Sequence, residues 1–253
     1  MRALPPEAIR RPSPNHGERR GRGAEAGGID MVVLHYTAMG DAEAACARLC
    51  DPETAVSAHY LVARDGAIVA LVGEDRRAWH AGRSAWAGER DVNSRSIGIE
   101  LDHPGRDGDG PWLPYAEAQF AALERLLAAV LARRPVPPER VLGHACVAPG
   151  RKSDPGPAFD WRRLARGGLA VWLDPEPAVF ADDAEGDPAA FRDAAARLGA
   201  GLAPGAAWDA EAEAVWAALA ARFLPALCGR RRASRRAVAH IERLARAFPA
   251  RAC

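Results

Sequence analysis

Met31-Val32-Val33-Leu34 is an unbroken apolar run that leads directly into His35, the pattern of a buried strand with a polar residue at its exit. Ser96 to Leu101 (Ser-Ile-Gly-Ile-Glu-Leu) alternates with the period of a strand that has one face in a core. Two further apolar runs, 58–63 and 67–72, flank Arg64-Asp65-Gly66; an Asp-Gly pair in that setting predicts a hairpin. Val141-Leu142 predicts a short strand that delivers His144. Between these runs the period changes. A short helix is expected over 41–50, and from Tyr115 to Arg134 the residues Phe120, Leu123, Leu127, Val130 and Leu131 recur at helical spacing. Pro135 and Pro137-Pro138 end that helix, because proline offers no N–H and clashes with the preceding turn. Loops rich in Gly, Pro and Asp are expected over 102–114 and 148–159. Strands mixed with helices in this way predict an α/β (α+β) fold, a mixed central sheet flanked by helices.

The same pattern divides the chain. Residues 1–28 are rich in Pro, Gly and Arg without periodicity and are expected to form a loosely ordered arm. The mixed domain is expected over 29–170. Composition then shifts to Asp, Glu, Pro and Ala, predicting a linker over 171–187. Helical periodicity returns over 191–198, 210–224 and 234–248, predicting a small helical domain over 188–253.

Composition narrows the function classes. With 34 basic against 33 acidic residues the net charge is +1, which lacks the excess positive charge of a general nucleic-acid binder. No apolar run reaches the roughly 20 residues of a membrane span, and the N-terminal residues lack a signal-type apolar stretch; the expected location is the cytoplasm. Five cysteines in no repeating spacing fit reduced thiols better than a disulfide framework. Thirty-three of the 34 basic residues are arginine, and the exception is Lys152. A lone lysine in so arginine-rich a chain suggests that an ammonium is needed there.

His35 and His144 stand at the ends of predicted strands, where side chains from neighbouring strands converge. Zinc accepts neutral imidazole nitrogen and carboxylate oxygen, and a catalytic site keeps three protein ligands with one position left for water. Asp154, ten residues after His144 in a loop whose glycines and prolines can fold back, is the natural third ligand. Taken singly, each histidine reads more often as a hydrogen-bonded structural residue than as a ligand.

Five segments change that balance. V-V-L-H-Y-T-A, V-S-A-H-Y-L-V-A-R-D-G, A-W-H-A-G, N-S-R-S-I-G-I-E-L and G-H-A-C-V-A-P-G-R-K-S-D-P-G-P resemble, in order and over about residues 30–165, the zinc-dependent N-acetylmuramoyl-L-alanine amidases of type 2, a family that includes peptidoglycan-recognition proteins. The resemblance implies that fold, one Zn2+ per chain held by His35, His144 and Asp154, and catalytic roles for Glu100 and Lys152. Some relatives carry a tyrosine immediately before the histidine of the second segment; Ala58 stands there in this chain, which leaves Glu100 as the acid/base. The implied reaction is hydrolysis of the amide between N-acetylmuramic acid, or its 1,6-anhydro form, and L-alanine of the stem peptide, in peptidoglycan turnover or recycling. The implied partner is therefore a muropeptide or peptidoglycan fragment.

His59, Trp79, His80, Trp86 and Asn93 are candidate substrate contacts, since aromatic faces and amides suit a glycopeptide; the two tryptophans read equally as core. Cys146 lies near His144, but Asp154 better matches the family as ligand. The C-terminal helices loosely resemble a small peptidoglycan-binding domain, and the Arg230–Arg236 cluster reads as a solvated face. Two rivals stand beside the enzyme: a recognition protein that binds muropeptides without cutting them, and a phage-type lytic amidase. The complete set of His35, His144, Asp154, Glu100 and Lys152 argues against the first, and the near-neutral charge against the second.

Overall fold

The computed structural model describes residues 8–106 and 108–250. Among the described residues the strands are β1 (Ile9–Arg10), β2 (His16–Glu18), β3 (Met31–Tyr36), β4 (Tyr60–Val62), β5 (Ile68–Ala70), β6 (Arg76–Ala78), β7 (Ser96–Leu101) and β8 (Val141–Gly143). The helices are α1 (Ala42–Cys50), α2 (Val92–Arg95), α3 (Glu117–Arg133), α4 (His144–Val147), α5 (Trp161–Arg166), α6 (Pro188–Leu198), α7 (Ala210–Phe223) and α8 (Arg235–Ala247). Six strands form one mixed sheet in the order β1-β5-β4-β7-β3-β8, and β2 pairs with β6 in a two-stranded ribbon.

The two-residue alternation of the central strands assigns the sheet its two faces. Val32 and Leu34 of β3 join Ile97, Ile99 and Leu101 of β7 and Tyr60 and Val62 of β4 in a core closed by Phe120, Leu123, Leu126 and Leu127 of α3 and by Trp161 and Leu164 of α5. Met31 and Val33 point the other way, into a second core. The parallel register sets Met31 beside Ser96, Val33 beside Gly98 and His35 beside Glu100. That row begins in hydrocarbon and ends in two ionisable groups. Leu61 of β4 packs on the same side of the sheet under Ala45, Cys46 and Leu49 of α1. The predicted hairpin forms from β4 and β5, antiparallel with Val62 opposite Ile68, and Gly66 takes the positive φ of +89° that its turn demands.

Two expectations about organisation are corrected. The segment expected as a loose arm is built into the fold from residue 8; its first seven residues lie outside the described ones. β1 extends the sheet alongside β5, β2 pairs with β6, and polar side chains hold what lies between. Ser13 Oγ donates to Leu49 O (2.6 Å), and Asn15 Nδ2 donates to Asp51 O and Val56 O (2.8 Å each). Arg19, 7 % exposed, donates to the carbonyls of Glu74, Asn93, Ser94 and Ser96. A composition that reads as disordered is ordered here by hydrogen bonds rather than by apolar periodicity.

The helical domain and linker expected after residue 170 are not separate from the sheet. Phe191, Val215, Trp216, Leu219, Phe223, Ile241 and Leu244 share one continuous core with Met31, Val33, Leu142, Cys146 and Val147, and Val171 and Val179 of the expected linker lie in it too. Arg222 of α7 is buried, donates to Val141 O of β8 (3.0 Å) and lies 4.3 Å over the Trp161 ring. Three arginines of the 230–236 cluster are paired: Arg230 with Asp183, Arg231 with Glu213 and Arg232 with Glu185. Cys46, Cys50, Cys146 and Cys228 are unbridged; Cys253 lies outside the described residues. Among the described residues no helix is long and apolar enough to cross a membrane.

Candidate metal centre and cleft

On the sheet face that carries Met31 and Val33, α1 covers one part and α7 another, and a cavity of about 340 Å³ opens between the covered regions. His35, Trp79, His80, Glu100, His144, Lys152 and Asp154 line it. His35 is the penultimate residue of β3, and β8 runs into α4 so that His144 is the first helical residue. The loop after α4 returns to place Asp154 against both: Ala145 N donates to Asp154 O (2.9 Å).

Three donor atoms converge. His35 Nδ1 lies 2.9 Å from His144 Nδ1, and each lies 3.0 Å from Asp154 Oδ2. All three residues are buried. The triangle is compatible with a metal ion, and its donors, two imidazoles and one carboxylate, suit zinc with one position left open. Burial and the neighbouring His144 lower the His35 imidazole to about 4, against the opposing pull of Asp154, so it is neutral and able to ligate at neutral pH. Burial alone would raise the Asp154 carboxyl, but hydrogen bonds from His144 and His35 outweigh it and hold the group well below the usual carboxylate range. An unpartnered atom nearby points the same way: Glu100 Oε2 is sealed from solvent with no hydrogen-bond partner. Burial, then the charge of Asp154, push the Glu100 carboxyl up to about 8, with Lys152 opposing. A cation in the triangle would draw it back down.

Lys152 is exposed at the mouth of the cavity. Trp79 is half-buried on its wall, whereas three other expected substrate contacts are not on it. Trp86 is 4 % exposed, packed in the second core against the backbone of Gly199. Asn93 spends its side-chain oxygen on the backbone N–H groups of His80 (3.1 Å) and Ala81 (2.8 Å). His59 is fully buried, accepts from Gly98 N at Nδ1 (2.9 Å) and lies 3.1 Å from Arg76 O at Nε2. These three face the interior, where their side chains pack or hydrogen-bond to backbone groups. The cavity adds residues that the sequence reading did not single out. Tyr36, bonded to Ser153 Oγ (2.7 Å), and Arg151 also line it. Both adjoin singled-out positions in the chain, and that adjacency was their only signal.

Comparison with known proteins agrees with this geometry. The chain is 41% identical over 162 residues to the N-acetylmuramoyl-L-alanine amidase AmiD of Escherichia coli, an alignment covering 60% of this chain and 58% of that protein; it thus spans less than two thirds of that relative's length. Its fold is similar to that of E. coli AmiD solved in complex with the substrate anhydro-N-acetylmuramic acid-L-Ala-D-γ-Glu-L-Lys (TM-score 0.78, 34% identity, 91% of this chain and 93% of that one). It is also similar to AmpDh3 of Pseudomonas aeruginosa in complex with an anhydromuramic pentapeptide (TM-score 0.76, 32% identity, 99% and 100%). Residues 25–157, more than half of the chain, match the N-acetylmuramoyl-L-alanine amidase family, and with the cleft and its donor triangle in place the chain belongs to that family.

Proposed function

We propose that the chain is a zinc amidase that hydrolyses the bond between N-acetylmuramic acid, in its 1,6-anhydro form, and L-alanine of the stem peptide. The observation that carries this reading is the buried His35–His144–Asp154 triangle beside the unpartnered Glu100 carboxyl. Amide hydrolysis needs an activated water, a stabilised tetrahedral oxyanion and a proton for the leaving amine. A Zn2+ held by His35, His144 and Asp154 supplies Lewis acidity toward the carbonyl and a water of lowered pKa.

The chain's own residues do the rest. Glu100, on the strand beside His35, takes the water proton and hands it to the departing alanine nitrogen. An unsatisfied carboxyl is suited to that exchange, since no hydrogen bond has to break first. Lys152 presents a compact ammonium to the developing oxyanion; a guanidinium is wider and distributes its charge. Trp79 offers an aromatic wall to the glycopeptide. The anhydro-muropeptides bound by the AmiD and AmpDh3 structures support the choice of substrate.

The test is mass spectrometry of a purified anhydro-muropeptide after incubation with the protein, with and without a zinc chelator. Release of the intact stem peptide, lost on chelation and restored by Zn2+, is the expected result. A protein that binds zinc and this muropeptide but releases no peptide would overturn the enzymatic reading.

A further inference from the structure

His80 and Ala81 belong to neither the donor triangle nor the acid/base pair, yet both touch the two histidines of the triangle from behind. His35 Nε2 lies 3.1 Å from His80 Nδ1, and His144 Nε2 lies 3.1 Å from Ala81 O. We infer that this dipeptide, clamped by Asn93 and Ser96, orients both histidines and sets which nitrogen of each carries its proton. The inference rests on the metal reading above and assigns a positioning role to residues of the A-W-H-A-G segment.

The proton positions follow from which atoms can only accept. Ser96 Oγ has one hydrogen and donates it to Val92 O at 2.6 Å. It can therefore only accept from His80 Nε2, 3.2 Å away. His80 is 9 % exposed with no carboxylate among its partners, so its ring is neutral and Nδ1 is left with a lone pair. Nδ1 accepts from His35 Nε2–H, so His35 Nδ1 is the nitrogen turned to the triangle. For His144 the reasoning is shorter. A carbonyl only accepts, so the contact to Ala81 O requires Nε2–H and turns Nδ1 to the triangle. Arg151 Nη2 also lies 3.3 Å from His144 Nε2, but its two hydrogens serve Ala81 O at 2.6 Å and Arg83 O at 2.9 Å.

Both Nδ1 atoms and a carboxylate oxygen thus face one point, where a metal ion would take the place of the hydrogen bonds the two rings make to Asp154 without one. Outer hydrogen bonds of this kind fix the tautomer and ring orientation of metal-binding histidines. Two features hold the clamp still. Asn93 Oδ1 accepts from the backbone N–H of both His80 and Ala81. Gly98 leaves the space the His80 ring occupies, since a Cβ there would lie 2.4 Å from His80 Cγ.

The experiment measures zinc affinity by chelator competition for the wild type, His80→Phe and His80→Asn, with the melting temperature of each metal-free protein as a control on folding. His80→Phe keeps the ring and removes the acceptor, and is expected to lose roughly 10- to 100-fold in zinc affinity. His80→Asn returns an acceptor near the Nδ1 position and is expected to recover most of that loss. Equal affinity of His80→Phe and wild type overturns the inference, as does an Asn variant no better than Phe. Nitrogen-15 NMR of the histidine rings in the zinc-loaded wild type needs no variant: Nε2–H on both His35 and His144 is expected, and Nδ1–H on either overturns it. A wild type that binds no zinc would refute the metal reading instead.

Discussion

Two glutamates are sunk into this fold, and they are treated in opposite ways. Glu74 is the acceptor of a complete set. Tyr60 Oη and Arg133 Nη2 donate to its Oε1 at 2.8 and 2.7 Å, and Arg134 Nε donates to its Oε2 at 2.9 Å. Burial would raise the Glu74 carboxyl, but hydrogen bonds from Arg133 and Tyr60 outweigh it and hold it below its ordinary value. Glu100 has an oxygen with no partner and a pKa pushed up to about 8 by burial and Asp154. The first arrangement stabilises the fold by tying β4 and the end of α3 to one carboxylate. The second costs stability, because an unsatisfied buried polar group forfeits its hydration without recompense, and such a cost persists where chemistry uses it.

Exchanging each carboxyl for its amide separates the two roles. Glu100→Gln is expected to lower turnover on anhydro-muropeptide by about 100- to 10,000-fold, the usual share of a positioned acid/base, while zinc content by atomic absorption stays at wild type. A variant within a few-fold of wild-type turnover would show that Glu100 is not the proton carrier. Lys152→Arg, which keeps the charge and changes its shape, should cost turnover about tenfold, below the loss seen when an oxyanion-stabilising donor is removed outright. Unchanged kcat would reduce Lys152 to a surface charge. Glu74→Gln should leave turnover nearly intact and lower stability by about 2 kcal/mol, since charge-assisted hydrogen bonds from two guanidiniums lose their strength. In thermal denaturation this is a fall of roughly 5 °C for a chain of this size.

The same contrast explains what could be read from the residues alone. The row Met31, Val33, His35 beside Ser96, Gly98, Glu100 was legible because strand alternation and a strand ending on histidine are local patterns. Asp154 was a candidate from its Gly- and Pro-rich loop and gained specificity only by resemblance, since such a loop has no period that says where it returns. Glu74 passed unnoticed, because its partners Tyr60, Arg133 and Arg134 come from separate stretches of chain that only folding brings to it. Asn93 and His59 were misassigned for the same reason: their partners are backbone groups of Ala81 and Gly98, and a sequence does not announce which amide needs an acceptor. The helices after residue 188 were found by their period, yet their partner face was not. An apolar stripe tells that something covers it, not that Met31, Val33 and Leu142 do.

The two glutamates are set most directly against each other through the pH dependence of stability. The folded Glu100 carboxyl releases its proton near 8, against 4.5 for an ordinary glutamate. Between those values the folded state of the metal-free protein holds a proton that the unfolded state has released. Stability from this group is complete below about pH 4.5 and is lost as pH rises toward 8. Glu74 has the reverse sign: its folded pKa is depressed, so its contribution is present above its unfolded value and is lost as pH falls through its folded one. Melting temperatures of chelator-treated wild type, Glu100→Gln and Glu74→Gln, measured across roughly pH 4 to 8, should therefore diverge in opposite directions. The Glu100→Gln variant gains on wild type as pH rises, and the Glu74→Gln variant narrows its deficit only at the acid end. Bound zinc should flatten the first trend, since a cation beside Glu100 removes its reason to hold a proton. Parallel curves for the two variants would mean that both carboxyls are hydrogen-bonded alike, and the distinction between a structural and a reactive glutamate in this fold would fall.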